Sequence, residues 1–137
     1  NAPCSIPINL TASSASLIQS YDGWGADMAA EKQFENKIKK FLESRGAWFV
    51  KYWAGAQYTK SGIPDILACI NGRFFGIEVK AQSGRPSEIQ MYNIRKINDA
   101  GGIGIVLYPS KYEEFTAFVD ALLDDVPTRR EIPEIWR

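Results

Sequence analysis

The fold is decided by residues 62–80, GIPDILACINGRFFGIEVK. Two apolar runs in this stretch flank Asn71-Gly72, the dipeptide that favours a two-residue turn between antiparallel strands. A turn centred between residues 71 and 72 sets Asp65 opposite Glu78. The stretch therefore predicts a hairpin that holds two carboxylates side by side.

The second strand of this hairpin carries alternating side chains. Glu78 and Lys80 share one face of the strand, because side chains two residues apart point the same way. Paired carboxylates repel unless a positive charge neutralises them, and a hard divalent cation with oxygen ligands is one solution. Such an ion would activate water against a phosphate, and Lys80 would orient or deprotonate that water. The alternative is an ion-pair cluster on a solvated sheet face.

Further elements surround the hairpin. Apolar residues that recur at helical or strand spacing predict the remaining helices and strands. Gly46 marks the end of the first helix, and Ser87 is a candidate cap for the second. In chain order, these are a helix over Glu31–Arg45, a strand over Ala47–Trp53, strands Ile66–Ile70 and Arg73–Lys80, a helix from Ser87 to about Ala100, a strand over Ile103–Tyr108 and a helix over Tyr112–Leu123. This α-β-β-β-α-β-α order predicts an α/β domain with a mixed central sheet flanked by helices.

The chain of 137 residues fits one compact domain. Residues 1–27 lack a sustained period and are expected to form a flexible or peripheral N-terminal extension. The domain is expected over residues 28–125, and residues 126–137 are expected to form a C-terminal tail.

Composition excludes several kinds of site. The chain has no histidine, which rules out Ser-His-Asp triads, Cys-His pairs and His-based zinc sites. Its two cysteines are far apart, and Cys69 falls in an apolar run expected to be a buried strand, which favours free thiols in a reducing compartment. No apolar stretch approaches the roughly 20 residues that span a bilayer. We therefore expect a soluble cytoplasmic protein that does not contact membranes.

The ordered set of motifs resembles a known superfamily. Gly62-Ile63-Pro64-Asp65 followed by Ile77-Glu78-Val79-Lys80 is similar to the PD-(D/E)XK nuclease signature. From Glu31 to Tyr108 the chain resembles the VRR-NUC branch of that superfamily. The resemblance implies a restriction-endonuclease-like core and hydrolysis of phosphodiester bonds with Mg²⁺ or Mn²⁺. Asp65, Glu78 and Val79 would hold the metal.

The resemblance also implies a glutamate on the first helix that completes the metal site. Glu31 and Glu35 lie one helical turn apart and are both candidates. The family pattern places the acid three residues before an apolar position and about three turns before a glycine, as Glu35, Ile38 and Gly46 do. This favours Glu35, whereas charge compensation at a helix N-terminus explains Glu31 better.

Gln90 has two interpretations that the sequence leaves open. The residue falls where the family has a loop-helix junction, and there it would contact the lysine, a phosphate or the attacking water as a catalytic residue. Ser87 and Gln90 also have the Ser-x-x-Gln spacing of a capping box.

Nucleic-acid contacts are expected on the loops nearest the carboxylates. The loops carry cations and a hydroxyl that suit a phosphate backbone, and an aromatic ring that suits exposed bases. These residues are Arg85, Lys60, Ser61 and Tyr58. Tyr52 and Trp53 are expected in the core.

The implied function is an endonuclease selective for branched DNA such as Holliday junctions. Stand-alone VRR-NUC members resemble junction resolvases of phage or bacterial origin, which implies the cytoplasm of a bacterium or of a phage-infected host. Two symmetric cuts require two sites and hence a homodimer. A sequence-specific restriction-type nuclease, or a non-catalytic nucleic-acid-binding or inhibitory protein with the same fold, is the alternative.

Overall fold

A computed structural model describes residues 13–55, 59–125 and 134, with side chains from residue 25 onward. Those residues form three α-helices and four strands, with a short 3-10 turn, Pro109–Lys111, between the last strand and the last helix. The elements are α1 (Ser13–Ser44), β1 (Trp48–Lys51), β2 (Ile66–Ile70), β3 (Arg73–Val79), α2 (Glu88–Asp99), β4 (Ile103–Leu107) and α3 (Tyr112–Asp124). The predicted α/β class is confirmed, with a mixed sheet and three helices.

The sheet has the order β1-β2-β3-β4. Strands β1, β2 and β3 pair antiparallel, and β4 joins β3 in parallel through the crossover helix α2. In the β2–β3 hairpin Ile66 lies opposite Ile77, which is the predicted register. Asn71 and Gly72 both have positive φ, of 47° and 77°, as a tight hairpin turn of this kind requires.

The apolar core lies between one face of the sheet and helices α1 and α3. Its buried members come from both layers: Phe34, Ile38, Phe41 and Leu42 of α1, Ile66, Ala68 and Ile70 of β2, Phe75, Ile77 and Val79 of β3, Leu107 of β4, and Phe115 and Val119 of α3. The alternate positions of β3 point to the opposite face, where α2 packs. Glu78 is one of these positions and is also buried.

Helix α2 lies unusually close to strands β3 and β4. A Cβ atom built on Gly104 would come within 2.6 Å of the Ile94 carbonyl oxygen, so only glycine permits this approach. Ser87 caps the helix, as the capping-box spacing predicts. The close packing brings the N-terminal turn of α2 beside the end of β3.

The first helix differs from its prediction. Helix α1 begins at Ser13, so the predicted start at Glu31 is wrong. Residues 25–30 are all exposed, and a helical segment that buries no face carries no apolar period. Residues 13–27 of the predicted extension are therefore helical, whereas residues 1–12 and most of 126–137 lie outside the described residues.

Cys69 was expected to be buried and is instead an exposed free thiol in β2. It occupies the face of the sheet opposite the core, where α2 packs mainly on β3 and β4. Cys4 lies outside the described residues. No helix in the described part of the chain is both long and apolar enough to cross a membrane.

Candidate active site

Asp65 is fixed beside the end of β3. It follows the Gly62-Ile63-Pro64 turn and directly precedes β2. Its Oδ2 atom accepts a hydrogen bond of 2.9 Å from the backbone N–H of Val79. This bond joins the two strands one residue beyond Glu78, so the hairpin holds the two acids together as the register predicts.

The Glu78 carboxylate is almost completely buried, with 1% of the residue exposed. Its Oε1 atom accepts a hydrogen bond of 2.5 Å from Gln90 Nε2 and lies 2.9 Å from Lys80 Nζ. Its Oε2 atom is buried, and within the described residues it has no hydrogen-bond partner. A buried polar atom without a partner costs free energy, which a bound ligand would recover.

The environment also raises the pKa of Glu78 to about 7. Burial is the largest cause, and the charges of Asp65 and Glu31 add to it, whereas Lys80 opposes the shift. One lysine therefore does not offset the desolvation of this carboxylate. The site is short of positive charge at Glu78.

Gln90 closes the helix cap and also contacts Glu78, while its catalytic role stays a prediction. Its Oε1 atom accepts a hydrogen bond of 2.7 Å from the backbone N–H of Ser87, which closes the capping box. The other end of the same amide donates to Glu78. The cap therefore orients the amide group that contacts the carboxylate.

Glu35 is the second buried glutamate, with 5% of the residue exposed. Three lysine Nζ atoms contact its carboxylate, at 2.6 Å for Lys51, 3.0 Å for Lys39 and 3.1 Å for Lys32. Burial alone would raise its pKa, but the lysines outweigh burial and lower it to about 2. Glu35 is therefore ionised and fully compensated.

Lys51 connects the two acids and was not singled out from the sequence. Its Nζ atom lies between Glu35 and Asp65, 3.2 Å from Asp65 Oδ1. Burial lowers the pKa of Lys51, but the two acids more than offset it and the pKa is raised. Only the β1–β2 pairing places this lysine near Asp65, and no short turn between those strands signals that pairing.

Glu31 lies on the other side of the site. Its Oε2 atom accepts a hydrogen bond of 3.3 Å from the backbone N–H of Ala81, and its charge acts on Glu78 and Lys80. Glu35 instead reaches Asp65 through Lys51. Both helix glutamates therefore border the carboxylate pair, and the preference for Glu35 stays a prediction.

The residues suit a metal ion that needs only one or two protein carboxylates as ligands. In the described part of the chain, no three acidic or Cys side chains converge to enclose an ion. Mg²⁺ commonly uses one or two carboxylates and completes its shell with water and substrate phosphate oxygens. Asp65 and the unpartnered oxygen of Glu78 fit that mode. The Val79 side chain is buried in the core, so only its backbone carbonyl could serve.

The residues predicted to contact nucleic acid lie on the surface. Lys60, Ser61 and Arg85 are exposed, and Tyr58 lies outside the described residues. The expectation that Trp53 is in the core is wrong, because 72% of it is exposed. Strand β1 ends at Lys51, so Trp53 follows the strand and does not pack beneath it.

Asn93 positions the turn that carries Asp65. This buried residue of α2 donates from Nδ2 to the carbonyl oxygen of Gly62 at 2.9 Å and of Ile89 at 3.0 Å. Gly62 has φ of +74°, and a Cβ there would lie 2.8 Å from the Ile89 backbone. The turn and the start of α2 are thus held in close contact. The sequence contains one indication of this role, because Asn93 is a polar residue on the apolar face of α2.

Comparison with known proteins identifies a family for this chain. Residues 28–101, more than half of the chain, match the family model described as archaeal Holliday junction resolvase (Hjc). No curated protein and no solved structure matches the chain. The matched segment contains Glu31, Glu35, Asp65, Glu78 and Lys80. The finer VRR-NUC placement stays a prediction. The chain belongs to the archaeal Holliday junction resolvase family, a PD-(D/E)XK-like family of nucleases.

Proposed function

We propose that this protein is a metal-dependent endodeoxyribonuclease that cuts branched DNA at Holliday junctions, using a PD-(D/E)XK core. The family supports a junction nuclease. The observation that carries the metal-dependent mechanism is the Glu78 carboxylate, buried beside Asp65 with one oxygen that has no partner in the described residues. A cation at that oxygen would supply the charge that the site lacks.

The side chains divide the work as follows. Asp65 and Glu78 would bind Mg²⁺ or Mn²⁺, with the Val79 carbonyl and Glu35 as further candidates. A bound ion of this kind supplies a more acidic water and offsets charge that develops on the phosphate. Lys80, 2.9 Å from Glu78, would orient the attacking water and stabilise the phosphate. Gln90 holds Glu78 Oε1, which leaves the opposite oxygen for the cation.

A cleavage panel tests the proposal. A four-way junction, a fork, a flap, a single strand and a plain duplex are incubated with Mg²⁺, with Mn²⁺ or with EDTA. We expect the junction to be cut fastest and only with a divalent cation. Equal cleavage in EDTA would contradict the metal role, and a preference for plain duplex would contradict the junction selectivity.

We also propose that the active species is a homodimer. The described chain supplies one Asp65–Glu78 pair, and paired cuts in opposing strands of a junction need two. Sedimentation equilibrium should give a mass near twice the 15.3 kDa of the chain. A monomer at concentrations that support paired cutting would overturn the dimer and leave the nuclease assignment intact.

A further inference from the structure

A cavity of about 290 Å³ opens beside the candidate active site. Asp65, Lys51 and Gln90 of the candidate site are among its lining residues. The remaining walls are mainly aromatic and apolar and include Trp53, Tyr52, Ile63 and Ile89. Pockets for small organic ligands have volumes of about 300–1,000 Å³. This cavity is at the lower end of that range, which suits one small flat group.

Trp53 is a largely exposed wall of this cavity. Its exposed fraction is 72%, so the indole contributes little to the core. Lys32 Nζ and Lys51 Nζ each lie 5.6 Å from the centre of a Trp53 ring. An exposed aromatic ring beside cations is the combination that proteins use to stack a base while they neutralise its phosphates.

We propose that this cavity binds one unstacked nucleobase next to the scissile phosphate, with the base stacked on Trp53. The inference rests on the proposed function, because it places the base within one nucleotide of the Asp65–Glu78 pair. Lys32 pairs with Glu35, and its side chain is 52% exposed, so it would also contact the adjoining phosphate. Lys51 stays with Glu35 and Asp65 at the floor of the cavity.

The cavity gives a physical reason for selectivity toward branched DNA. Removing a base from a duplex stack costs free energy, and the cost is smallest where the base is already unpaired or poorly stacked. Bases at a branch point meet that condition more often than bases inside a continuous duplex. A base-binding cavity beside the catalytic carboxylates therefore favours a phosphate at a junction.

The test measures DNA binding in EDTA, so that it does not depend on cleavage. Junctions carry an abasic site at one position at a time along the strands on either side of the branch point. Wild type should bind the abasic junction at the correct position about ten-fold more weakly than the intact junction, since one base–aromatic stack is lost. Trp53→Ala should bind the intact junction about ten-fold more weakly and show no further loss with the abasic site. Trp53→Phe should retain most of the affinity.

Trp48→Ala is the matched control. Trp48 is also a largely exposed tryptophan, at 63%, and it does not line the cavity. This variant should keep the wild-type sensitivity to the abasic site. Thermal unfolding of each variant checks that the fold is intact.

Two outcomes would overturn the proposal. One is that the abasic site weakens DNA binding by the same factor in wild type and in Trp53→Ala, because the lost base then does not contact Trp53. The other is that no abasic position weakens wild-type binding. Absence of cleavage with Mg²⁺ and Mn²⁺, by contrast, would overturn the proposed function, and the binding measurements would still decide on the base site.

Discussion

The two buried glutamates of the candidate site have opposite electrostatic environments. Glu35 is contacted by three lysines and has a pKa of about 2. Glu78 is contacted by one lysine and the Gln90 amide and has a pKa of about 7. Both side chains are buried, but Glu78 has one neighbouring lysine instead of three and also faces the charges of Asp65 and Glu31, so burial dominates its pKa. Glu35 is already neutralised, whereas Glu78 is the carboxylate that an added cation would stabilise.

The positions of the two residues explain this contrast. Glu35 lies on a helix, where Lys32 and Lys39 are on neighbouring turns of the same face, and β1 adds Lys51. Glu78 lies on a central strand whose neighbours Ile77 and Val79 belong to the core. The helix supplies two local counter-charges to Glu35, whereas the segment of β3 supplies Glu78 with Lys80 alone.

The largest effect is expected when the negative charge of Asp65 or Glu78 is removed. Glu78→Gln or Asp65→Asn should slow single-turnover cleavage on the order of 1,000-fold, because each removes a ligand charge from a preorganised site. DNA binding, measured by fluorescence anisotropy, should largely survive because the basic surface is unchanged. Glu113→Gln, an exposed acid of α3, is the control. A near wild-type rate for either variant would mean that the metal site is assigned wrongly.

Lys80→Ala should slow the chemical step about 100-fold, which is typical for loss of a group that orients or deprotonates water. Metal affinity, measured by calorimetry, should be intact or improved because a nearby positive charge is deleted. Lys111→Ala, which removes an exposed lysine paired with Glu114, is the matched control. An unchanged single-turnover rate would show that Lys80 only balances charge.

Glu35→Gln should lower the free energy of unfolding by about 2 kcal/mol at pH 7, since three lysines lose their common partner. The pKa of Glu35 is lowered from 4.5 to about 2 on folding, so its stabilisation is present above pH 4.5 and is lost toward pH 2. Denaturant unfolding across that pH range should therefore show that the difference in unfolding free energy between Glu35→Gln and wild type decreases as the pH falls.

Glu31→Gln is the matched variant for Glu35→Gln, because Glu31 has one weak contact to a backbone N–H. Its unfolding free energy should stay within about 0.5 kcal/mol of wild type. If Glu35 is the helix-borne metal ligand, Glu35→Gln should also impair cleavage more than Glu31→Gln. The reverse ranking in cleavage would transfer that role to Glu31.

Glu78→Gln should have the opposite effect on stability. The pKa of Glu78 is raised from 4.5 to about 7 on folding, so metal-free wild type loses stability as the pH rises between those values. In EDTA at pH 8 the variant should be more stable by roughly 1–2 kcal/mol, and the gain should disappear near pH 4.5. A destabilised variant at pH 8 would show that the ionised carboxylate is better compensated than its contacts indicate.

The smallest effect is expected at the helix cap that orients Gln90. Ser87→Ala should destabilise the protein by about 1 kcal/mol and slow cleavage a few-fold, because the backbone N–H of Gln90 loses its acceptor, Ser87 Oγ at 3.4 Å, and the first turn of α2 that carries the Gln90 amide is held less firmly. Ser87→Asp retains a capping acceptor and should restore both properties. A cleavage rate unaffected by Ser87→Ala would limit the cap to a structural role.

Local patterns were sufficient for much of the fold. The Asn71-Gly72 turn predicted the β2–β3 register, and the Ser-x-x-Gln spacing predicted the cap of α2. These features depend on residues within a few positions of one another. The exposed N-terminal part of α1 and the exposure of Trp53 escaped prediction, since both depend on which surface a distant element covers.

The sequence by itself determined that Asp65 lies beside Glu78 with Lys80 on the same face, because a two-residue turn and the alternation of a strand allow one register. Only the tertiary structure decided how each acid is compensated. Lys51 reaches Glu35 and Asp65 through the packing of β1 against α1 and β2, and Gln90 reaches Glu78 through the packing of α2 on the sheet. The electrostatics of the site depend on distances between elements far apart in the chain, which no local period encodes.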